Sequence, residues 1–518
     1  MKPQTVPALL AHGTEHFADN LAVVDGDLRL TYAELADEVN RVSRAYLALG
    51  VQPGDRVAIW VPNRAEYILA LLGAQNIGVA IVPLNTRYRG HEARTILERS
   101  RATALVTVQG FLGNNYLDLL AAADGLDLPH LKAVIDIAES GDERAIGWNA
   151  FLAGGDTVPQ ADVDAASAAV TPETIADILF TSGTTGLPKG VLSAHRQTLG
   201  VAQVWAEGAR LSPADRYAIV NPFFHSFGYK AGVITSLTSG TTIYPVVTFD
   251  PVTLMELIQN ERITVLPGAP TIFITLINHP QRGAFDLSSL RFSIAGAASV
   301  PESLFEQMRD VLGFDSVAQA YGLTECVVAT RSRDNEDPRH IAECTGPAVP
   351  GLEIKVVDTD GTSQPTGTDG EIWIKGDNVM LGYFEDPEAT AAAIDADGWL
   401  HTGDVGRLDE HGCLKITDRI KDMFIVGGFN VYPAEVENVL ASHPDVIEAA
   451  VIGVDDERMG SVGHAFVIPR AGATLDVEGL TTFCRDHLAN FKVPRSFEVI
   501  SELPRNASGK VLKTELRR

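Results

Sequence analysis

Short β-rich runs alternate with amphipathic stretches along much of the first 300 residues. Residues 31–49 show the helical type, since Thr31 and Glu34 form a capping box and apolar side chains then recur at helical spacing. Residues 175–181 show the strand type. Such alternation is typical of layered α/β folds, because each helix packs one face on a sheet. Further strands are predicted at residues 56–60, 104–107, 218–220, 264–266 and 292–294.

The length of 518 residues is too great for one compact core, so more than one domain is expected. After about residue 346 the pattern changes to short runs separated by Asp-Gly turns, which predicts a small β-subdomain. After residues 418–422, helical and strand-like runs alternate again over about 100 residues. The fold class predicted is α/β, with a large N-terminal domain of layered α/β subdomains plus a β-subdomain, and a small α+β C-terminal domain.

The charge balance is acidic, with 41 Lys and Arg against 67 Asp and Glu and a formal net charge of −26. This net negative charge disfavours non-specific binding to nucleic acid or anionic lipid. It is compatible with a local basic site that binds a small anion. No segment has the length and apolar character of a signal peptide or a membrane span. A soluble, cytoplasmic protein is therefore expected.

The four cysteines, Cys326, Cys344, Cys413 and Cys484, lie far apart in the sequence. Their spacing indicates neither a disulfide framework nor a zinc knuckle, and it fits a reducing cytosol. The sequence also contains no GxSxG elbow or HExxH motif that would support a hydrolase.

The segment TSGTTGLPKG, from Thr181 to Gly190, follows the apolar residues 178–180. Its hydroxyl residues and glycines allow backbone N–H and side-chain O–H groups to approach phosphate oxygens, and Lys189 adds a positive charge. It differs from the standard P-loop, since Pro188 precedes the lysine and Gly190 replaces the Ser or Thr that would meet magnesium. Taken alone, the segment is compatible with a phosphate cradle and with an ordinary glycine-rich turn.

Seven motifs follow one another along nearly the whole chain: TSGTTGLPKG at Thr181, FFHSFG at Phe223, YGLTE at Tyr321, HTGD at His401, DRIKD at Asp418, GGFNVYPAEVE at Gly427 and PRNASGK at Pro504. Together they resemble the adenylate-forming superfamily of acyl-CoA synthetases, luciferases and peptide-synthetase adenylation domains. The resemblance implies that MgATP activates a carboxylic acid as an acyl-adenylate, with release of pyrophosphate. The C-terminal domain then rotates, and CoA accepts the acyl group.

The resemblance also implies domain bounds of 1–418 for an adenylating domain with the ATP and acyl sites, 419–421 for a hinge that includes Lys421, and 422–518 for a mobile C-terminal domain. Its ATP- or AMP-binding residues come from the phosphate loop, the segment after residues 292–294, the YGLTE and HTGD motifs and two basic positions: Thr181, Ser182, Gly183, Thr184, Thr185, Gly186, Lys189, Gly296, Ala297, Ala298, Tyr321, Gly322, Thr324, Asp404, Arg419 and Lys510. The catalytic set that it implies is Lys510, His225, Thr185 and Glu325.

Within this set, Tyr321 is expected to stack on adenine, Thr324 to bond the α-phosphate and Glu325 to hold Mg²⁺. Asp404 would accept hydrogen bonds from the ribose hydroxyls, and Lys510 would bridge the acid and the α-phosphate. Without the motifs, these residues are more typical of a core aromatic, a solvated acid, a turn cap and an exposed lysine.

The acyl pocket implied by the resemblance contains His225, Phe227, Gly228, Lys230, Ala269 and Val327, with Gly268, Thr271, Gly296 and Val328 beside them. Amino-acid-activating relatives usually carry an aspartate where this chain has His225. Its absence disfavours an amino-acid substrate, because a buried ammonium would lack its partner. Lys230 could meet a distal carbonyl of the acid or point outward. Gly427 and Gly428 would line the tunnel for the CoA arm, or form a hairpin turn, or both.

Many residues of this pocket are small and several are apolar, which favours a medium-chain, aromatic or bulky alicyclic acid over acetate. Similarity to fatty-acid and steroid-catabolic acyl-CoA ligases points to a steroid-derived propanoate. Three alternatives stay open: an acyl-AMP ligase that loads an acyl-carrier protein, a luciferase-like oxygenase and a non-catalytic scaffold. A homodimer is compatible with the family, and no nucleic-acid partner is expected.

Overall fold

The computed structural model describes residues 2–123, 125, 127–181, 188–296, 300, 302–333, 337–419, 422–426, 429–456, 458–488, 490–506 and 511–517. The strands of these ranges are, in chain order, β1 (Leu21–Asp25), β2 (Leu28–Thr31), β3 (Arg56–Trp60), β4 (Ala80–Pro83), β5 (Ala104–Thr107), β6 (Ala133–Asp136), β7 (Ile146–Gly147), β8 (Ile175–Thr181), β9 (Lys189–Ala194), β10 (Arg216–Ile219), β11 (Thr242–Pro245), β12 (Phe292–Ala295), β13 (Ser316–Tyr321), β14 (Thr330–Arg331), β15 (Leu352–Val357), β16 (Gly370–Gly376), β17 (Gly382–Tyr383), β18 (Leu400–Leu408), β19 (Leu414–Arg419), β20 (Phe424–Val426), β21 (Phe429–Val431), β22 (Val446–Asp456), β23 (Gly460–Pro469) and β24 (Ser496–Val499).

The helices of the same ranges are α1 (Val6–Phe17), α2 (Tyr32–Ala48), α3 (Ala65–Asn76), α4 (Gly90–Ser100), α5 (Tyr116–Ala121), α6 (Trp148–Gly154), α7 (Gln160–Ala168), α8 (His195–Gly208), α9 (Ser226–Gly228), α10 (Thr235–Ser239), α11 (Pro251–Glu261), α12 (Pro270–Asn278), α13 (Glu302–Asp310), α14 (Pro338–Glu343), α15 (Pro387–Ala393), α16 (Pro433–Ala441), α17 (Val477–His487) and α18 (Lys513–Leu516). A π-helical segment, Tyr229–Ile234, joins α9 to α10. The remaining short helical turns are 3₁₀.

Two large sheets form the layers of the N-terminal part. One has the strand order β17-β9-β8-β4-β3-β5-β6-β7, and its strands from β8 to β7 run parallel. The other has the order β10-β11-β1-β2 and continues, through single bridges of Val265 to Tyr217 and Phe292, into β12-β13-β14. The layered α/β class predicted from the sequence is confirmed.

The layer between these sheets is the centre of the main core. Helix α3 contacts β3 and β4 of one sheet and β1 of the other, and all of its residues except Glu66 are buried. A helix that is apolar on all sides is stable only when it is covered on all sides, as it is here. Helices α2, α8 and α10 pack in the same core.

A continuous helical run from Ser226 to Ser239 crosses this layer and contains the π-helical segment. It starts at His225, whose Nδ1 accepts a hydrogen bond from the Phe227 N–H at 3.2 Å. Gly228 is needed for the close approach of the preceding loop, because a Cβ there would lie 2.2 Å from the Pro222 carbonyl oxygen. π-Helical segments are rare and frequently mark functional sites.

The predicted β-subdomain is the antiparallel sheet β15-β16-β18-β19. A separate C-terminal domain follows, in which β21, β20, β23, β22 and β24 form one sheet. Helices α16 and α17 pack with this sheet around their own cluster of buried apolar residues. Among the described residues, no helix combines the length and the apolar character needed to cross a bilayer.

Cys344 and Cys413 are neighbours in the fold although 69 residues separate them in sequence. Their sulfur atoms are in contact, and their Cα atoms lie 6.0 Å apart. The sequence spacing indicated neither a disulfide framework nor a zinc knuckle, and it did not reveal this contact. Cys326 and Cys484 are buried elsewhere.

Candidate active site

Tyr321 and Asp404, both predicted to bind the nucleotide, meet in the structure. Tyr321 ends β13, Asp404 lies on β18, and the phenol donates a hydrogen bond of 2.6 Å to Asp404 Oδ2. Asp404 is buried, with 4% of its surface exposed, whereas Tyr321 is only partly covered. An aromatic face next to a carboxylate offers a stacking surface for a base beside an acceptor for ribose hydroxyls.

The turn after Tyr321 is held by two unusual backbone positions. A Cβ on Gly322 would lie 1.8 Å from the carbonyl oxygen of Val327, so only glycine fits there. Val327 itself has φ of 62°, a left-handed conformation that β-branched residues rarely adopt. Backbone strain of this kind concentrates at binding sites, where the surrounding structure imposes it. Thr324 and Glu325 thus lie between two constrained backbone positions, Gly322 and Val327.

Glu325 lies in a short chain of polar contacts. The Tyr383 hydroxyl donates a hydrogen bond of 2.9 Å to Glu325 Oε1, and Lys189 Nζ lies 4.9 Å from the centroid of the Tyr383 ring. Burial, together with the Glu325 carboxylate, raises the pKa of Tyr383, which therefore stays protonated as a donor. The sequence motifs did not single out Tyr383. Its contact connects the carboxylate predicted to hold magnesium with the lysine of the phosphate loop.

The phosphate loop connects β8 and β9, which pair antiparallel up to Thr181 and Lys189. These two residues lie at the base of the loop, where the Thr181 hydroxyl is 3.5 Å from the Lys189 carbonyl oxygen. Ser182, Gly183, Thr184, Thr185 and Gly186 lie outside the described residues.

The predicted acyl residues before and within the π-helical run lie beside the nucleotide residues. The Phe227 ring packs edge-on against Trp205, with 5.6 Å between the centroids. A Cβ built on Gly296 would lie 3.9 Å from both Phe227 Cε1 and the carbonyl oxygen of Ala320, the neighbour of Tyr321. Phe227, Gly296 and the end of β13 therefore face one another.

His225, at the start of this run, is half-buried, and burial lowers its pKa to about 4. The ring is therefore neutral at physiological pH. Because Nδ1 accepts the Phe227 N–H, the ring proton is on Nε2. His225 can thus act as an uncharged hydrogen-bond donor.

Ala269 and Val327 are also partly covered, and Ala269 directly precedes α12. Gly268, which pairs with Ala295 at the end of β12, lies one residue earlier. A Cβ on Gly268 would meet Ile272 Cδ1 at 2.9 Å, so a side chain there would crowd α12.

Lys230 does not point outward, and its partner was not predicted from the sequence. Only 1% of its side chain is exposed, and Nζ lies 2.9 Å from Asp177 Oδ1 and donates to Ser193 Oγ at 2.8 Å. Burial lowers the pKa of Lys230, and the Asp177 carboxylate opposes that shift. Asp177 also accepts a hydrogen bond of 2.7 Å from Thr198. The sequence signal that could have revealed this partner was Asp177 itself, a single acidic residue inside the apolar strand β8.

Six further predicted site residues lie outside the described residues: Ala297, Ala298, Lys421, Gly427, Gly428 and Lys510. Arg419 is paired with Asp404 across β18 and β19, which brings its backbone next to the residue predicted to bind the ribose. Strands β20 and β21 flank Gly427 and Gly428 as an antiparallel pair. Arg505 and Val511, on either side of the segment that contains Lys510, form an antiparallel bridge.

Comparisons with known proteins agree with the family that the motifs resemble. A family model described as AMP-binding enzyme matches residues 10–384, and one described as AMP-binding enzyme C-terminal domain matches residues 435–510. A 3-(7a-methyl-1,5-dioxo-octahydro-1H-inden-4-yl)propanoyl:CoA ligase of Rhodococcus jostii is 49% identical over 518 residues, covering 100% of this chain and 99% of that protein. A ligase of the same name from Mycobacterium tuberculosis is 49% identical over 515 residues, covering 99% of this chain and 98% of that protein.

Among solved structures, the anthranilate CoA ligase AuaEII in complex with anthranoyl-AMP superposes with a TM-score of 0.89 at 27% identity, over 99% of this chain and 96% of that one. The chain belongs to the AMP-binding enzyme family, the adenylate-forming superfamily recognised from its motifs. Within it, the chain is an acid–thiol ligase of the AMP-forming acyl-CoA synthetase class.

Proposed function

We propose that the chain joins a bulky alicyclic acid, the propanoate of a steroid-derived ring fragment, to CoA in two half-reactions. In the first, a carboxylate oxygen attacks the α-phosphorus of ATP and pyrophosphate leaves. In the second, the CoA thiol attacks the acyl carbon and AMP leaves. The contact between Tyr321 and Asp404 carries the nucleotide part of the proposal, because it joins two separate motifs into one site for adenine and ribose.

In the first half-reaction the protein mainly positions the reactants and offsets phosphate charge. Tyr321 would stack on the base and Asp404 would accept from the ribose. Thr181 and Lys189, at the base of the phosphate loop, would orient that loop toward the β- and γ-phosphates. Lys510 would bring its charge between the acid and the α-phosphate.

Glu325 is the residue that would hold Mg²⁺. A carboxylate is a hard oxygen ligand, and the Tyr383 hydrogen bond orients it through Oε1. Bound Mg²⁺ would offset the charge of the phosphates that leave as pyrophosphate.

The second half-reaction would use the C-terminal part of the chain. We place the N-terminal adenylating domain at 1–418, the hinge at 419–421 with Lys421, and the mobile domain at 422–518. Rotation about the hinge would withdraw Lys510 and bring Gly427 and Gly428 to the acyl-adenylate, where they would line the path of the CoA arm.

The acid substrate is inferred from the pocket and from the relatives. Relatives that cover 99–100% of this chain at 49% identity are named as ligases of a methyl-dioxo-octahydroindenyl propanoate. Gly296 leaves space beside Phe227 where a larger side chain would stand, which suits a fused-ring acid. Neutral His225 would close this space and orient the acid through Nε2–H.

Pyrophosphate release and thioester formation, measured with MgATP in the presence and absence of CoA, test the proposal. The acids compared are acetate, octanoate, palmitate, a benzoate and the octahydroindenyl propanoate, with Lys510→Ala as control. Thioester from the bicyclic propanoate at the highest kcat/KM, with adenylation lost in the control, is expected. Thioester from another acid alone would overturn the substrate assignment. Pyrophosphate release that never leads to acyl-CoA would favour a ligase that loads an acyl-carrier protein. A homodimer and a cytoplasmic location remain predictions.

A further inference from the structure

Four potential metal ligands converge at one edge of the β-subdomain, away from the residues predicted to bind ATP. They are His340 on α14, Cys344 directly after that helix, and Asp409 and Cys413 in the turn between β18 and β19. One ligand atom from each residue lies within 4.8 Å of the corresponding atoms of the other three. Both cysteines are buried, and His340 and Asp409 are partly covered.

Each pair of ligands is held together by local backbone structure. The Cys344 N–H donates to the His340 carbonyl oxygen at 3.0 Å, and the Cys413 N–H donates to Asp409 Oδ1 at 2.8 Å. The two ligands of each pair are therefore four residues apart, one pair at a helix end and the other across a turn. Regular short spacing within two separated pairs is common in structural zinc sites.

Backbone hydrogen bonds also join the two pairs. Thr345 N–H donates to the Leu414 carbonyl oxygen at 2.8 Å, and Leu414 N–H donates to that of Gly346 at 3.0 Å. The Gly346 N–H points at Cys344 Sγ, 3.3 Å away, an arrangement that stabilises a thiolate. The donors are thus brought together by the fold itself.

We propose that His340, Cys344, Asp409 and Cys413 bind one structural zinc ion. The Cα separation of 6.0 Å suits either a disulfide or two cysteine ligands of one metal. A disulfide would use the two sulfurs only, whereas a metal site would also use the imidazole and the carboxylate, which lie within 4.8 Å of them. Two thiolates, one imidazole and one carboxylate complete the four-coordinate shell that structural zinc prefers. An ion among them would separate the two sulfurs until each is about 2.3 Å from the metal.

The site would cross-link α14 to the hairpin whose first strand carries Asp404 and whose second strand ends at Arg419, next to the proposed hinge. Its role would be to hold this hairpin in place while the C-terminal domain moves. The ligands are distinct from the residues proposed for ATP, acid and CoA.

Metal content tests the proposal on the full chain, purified under reducing conditions and desalted. We expect one zinc ion per chain by elemental mass spectrometry, and, after exchange for Co²⁺, the visible absorption of tetrahedral thiolate-bound cobalt. Binding should be lost in His340→Ala and in Cys413→Ala and retained in Cys326→Ala and Cys484→Ala, whose sulfurs lie elsewhere. If a variant fails to fold, the cobalt spectrum of the unmodified chain still tests whether thiolates bind the metal.

Absence of both zinc and thiolate-bound cobalt from the reduced, folded chain would overturn the proposal. So would recovery of the peptide pair Cys344–Cys413 as a disulfide from protein that resists reduction. Metal binding that persists in both His340→Ala and Cys413→Ala would place the ion at another site and would equally refute it.

Discussion

Lys230 Nζ lies 2.9 Å from Asp177 Oδ1 in the layer between the two large sheets, and both side chains are fully covered by protein. Strand β8 supplies the acid just before the phosphate loop, and the π-helical segment supplies the base just after His225. Because the chain segments that lead to the residues predicted to bind the phosphates and the acid meet in this pair, it fixes one segment against the other. The ammonium is already bonded to Asp177 and Ser193, so its main role is to hold these two segments together.

Lys230→Met should destabilise the protein by about 3–5 kcal/mol, because it leaves the Asp177 carboxylate buried without a cation. The double variant Lys230→Met, Asp177→Asn should recover most of this loss, since the amide introduced at position 177 is uncharged and keeps an acceptor for Thr198. Urea unfolding of the two single variants and the double variant gives the coupling energy. A loss in the double variant equal to the sum of the two single losses would show that the pair does not stabilise the fold.

Tyr321→Phe should raise KM for ATP by about tenfold to a hundredfold, equivalent to about 1.5–3 kcal/mol, with a smaller effect on kcat. The ring remains for stacking, whereas Asp404 loses the donor that orients it. Tyr32→Phe is the matched control, because that hydroxyl bonds the carbonyl oxygens of Ser236 and Thr241, neither of which is a predicted nucleotide residue. ATP-dependent pyrophosphate exchange measures both variants. An unchanged KM in Tyr321→Phe would argue against an orienting role for the hydroxyl.

The stability of the protein should fall as pH falls below about 6.5, partly through His195. Burial lowers the pKa of His195 from 6.5 in an unfolded chain to about 4, while Nδ1 accepts the Val6 N–H at 3.1 Å. Between these two values the unfolded chain takes up the proton and the folded chain does not, so acid favours unfolding. At pH 5 the loss from this residue is about 2 kcal/mol.

His195→Asn preserves an acceptor for Val6 and cannot be protonated, so it should lose less stability than the wild type between pH 7.5 and pH 5. Urea midpoints at the two pH values provide the comparison. Parallel losses in wild type and variant would show that His195 titrates normally in the folded protein.

Local sequence patterns were sufficient for elements that are apolar runs bounded by turns. The strands predicted at 56–60, 104–107 and 175–181 are confirmed as β3, β5 and β8, and helix α2 starts at its predicted capping box. Residues 264–266 are not a strand, because only Val265 forms bridges there. A sheet can use a single residue to connect two neighbours, and no local pattern records this.

Site residues could be predicted from the sequence only where they belong to a recognised motif. The YGLTE and HTGD motifs led to Tyr321 and Asp404, but their contact depends on how β13 and β18 pack together. The cysteine pair is 69 residues apart, and its formation depends on the placement of α14 against the β18–β19 turn. Contacts between distant segments follow from tertiary packing, which single-chain periodicity does not encode.

Gly296→Val should separate the two roles predicted for this position. Among the described residues, a Cβ at Gly296 has no neighbour closer than 3.9 Å, so the fold should tolerate the substitution, but the added methyl groups would fill the space beside Phe227. If that space holds the acid, KM for the octahydroindenyl propanoate should rise at least about tenfold, since a change of a few methyl groups in a pocket is worth about 1–3 kcal/mol. KM for ATP and the turnover of short acids should then change little.

Gly283→Val is the control for the added volume, because a Cβ there has no atom of the described part of the chain within 4 Å. If Gly296 instead lies under adenine, KM for ATP should rise equally with every acid. Adenylation kinetics with the bicyclic acid and with a short acid, at varied ATP, distinguish these outcomes. A selective loss of the bulky acid would place the ring system of the substrate between Phe227 and the end of β13, where the proposed acyl and nucleotide sites meet.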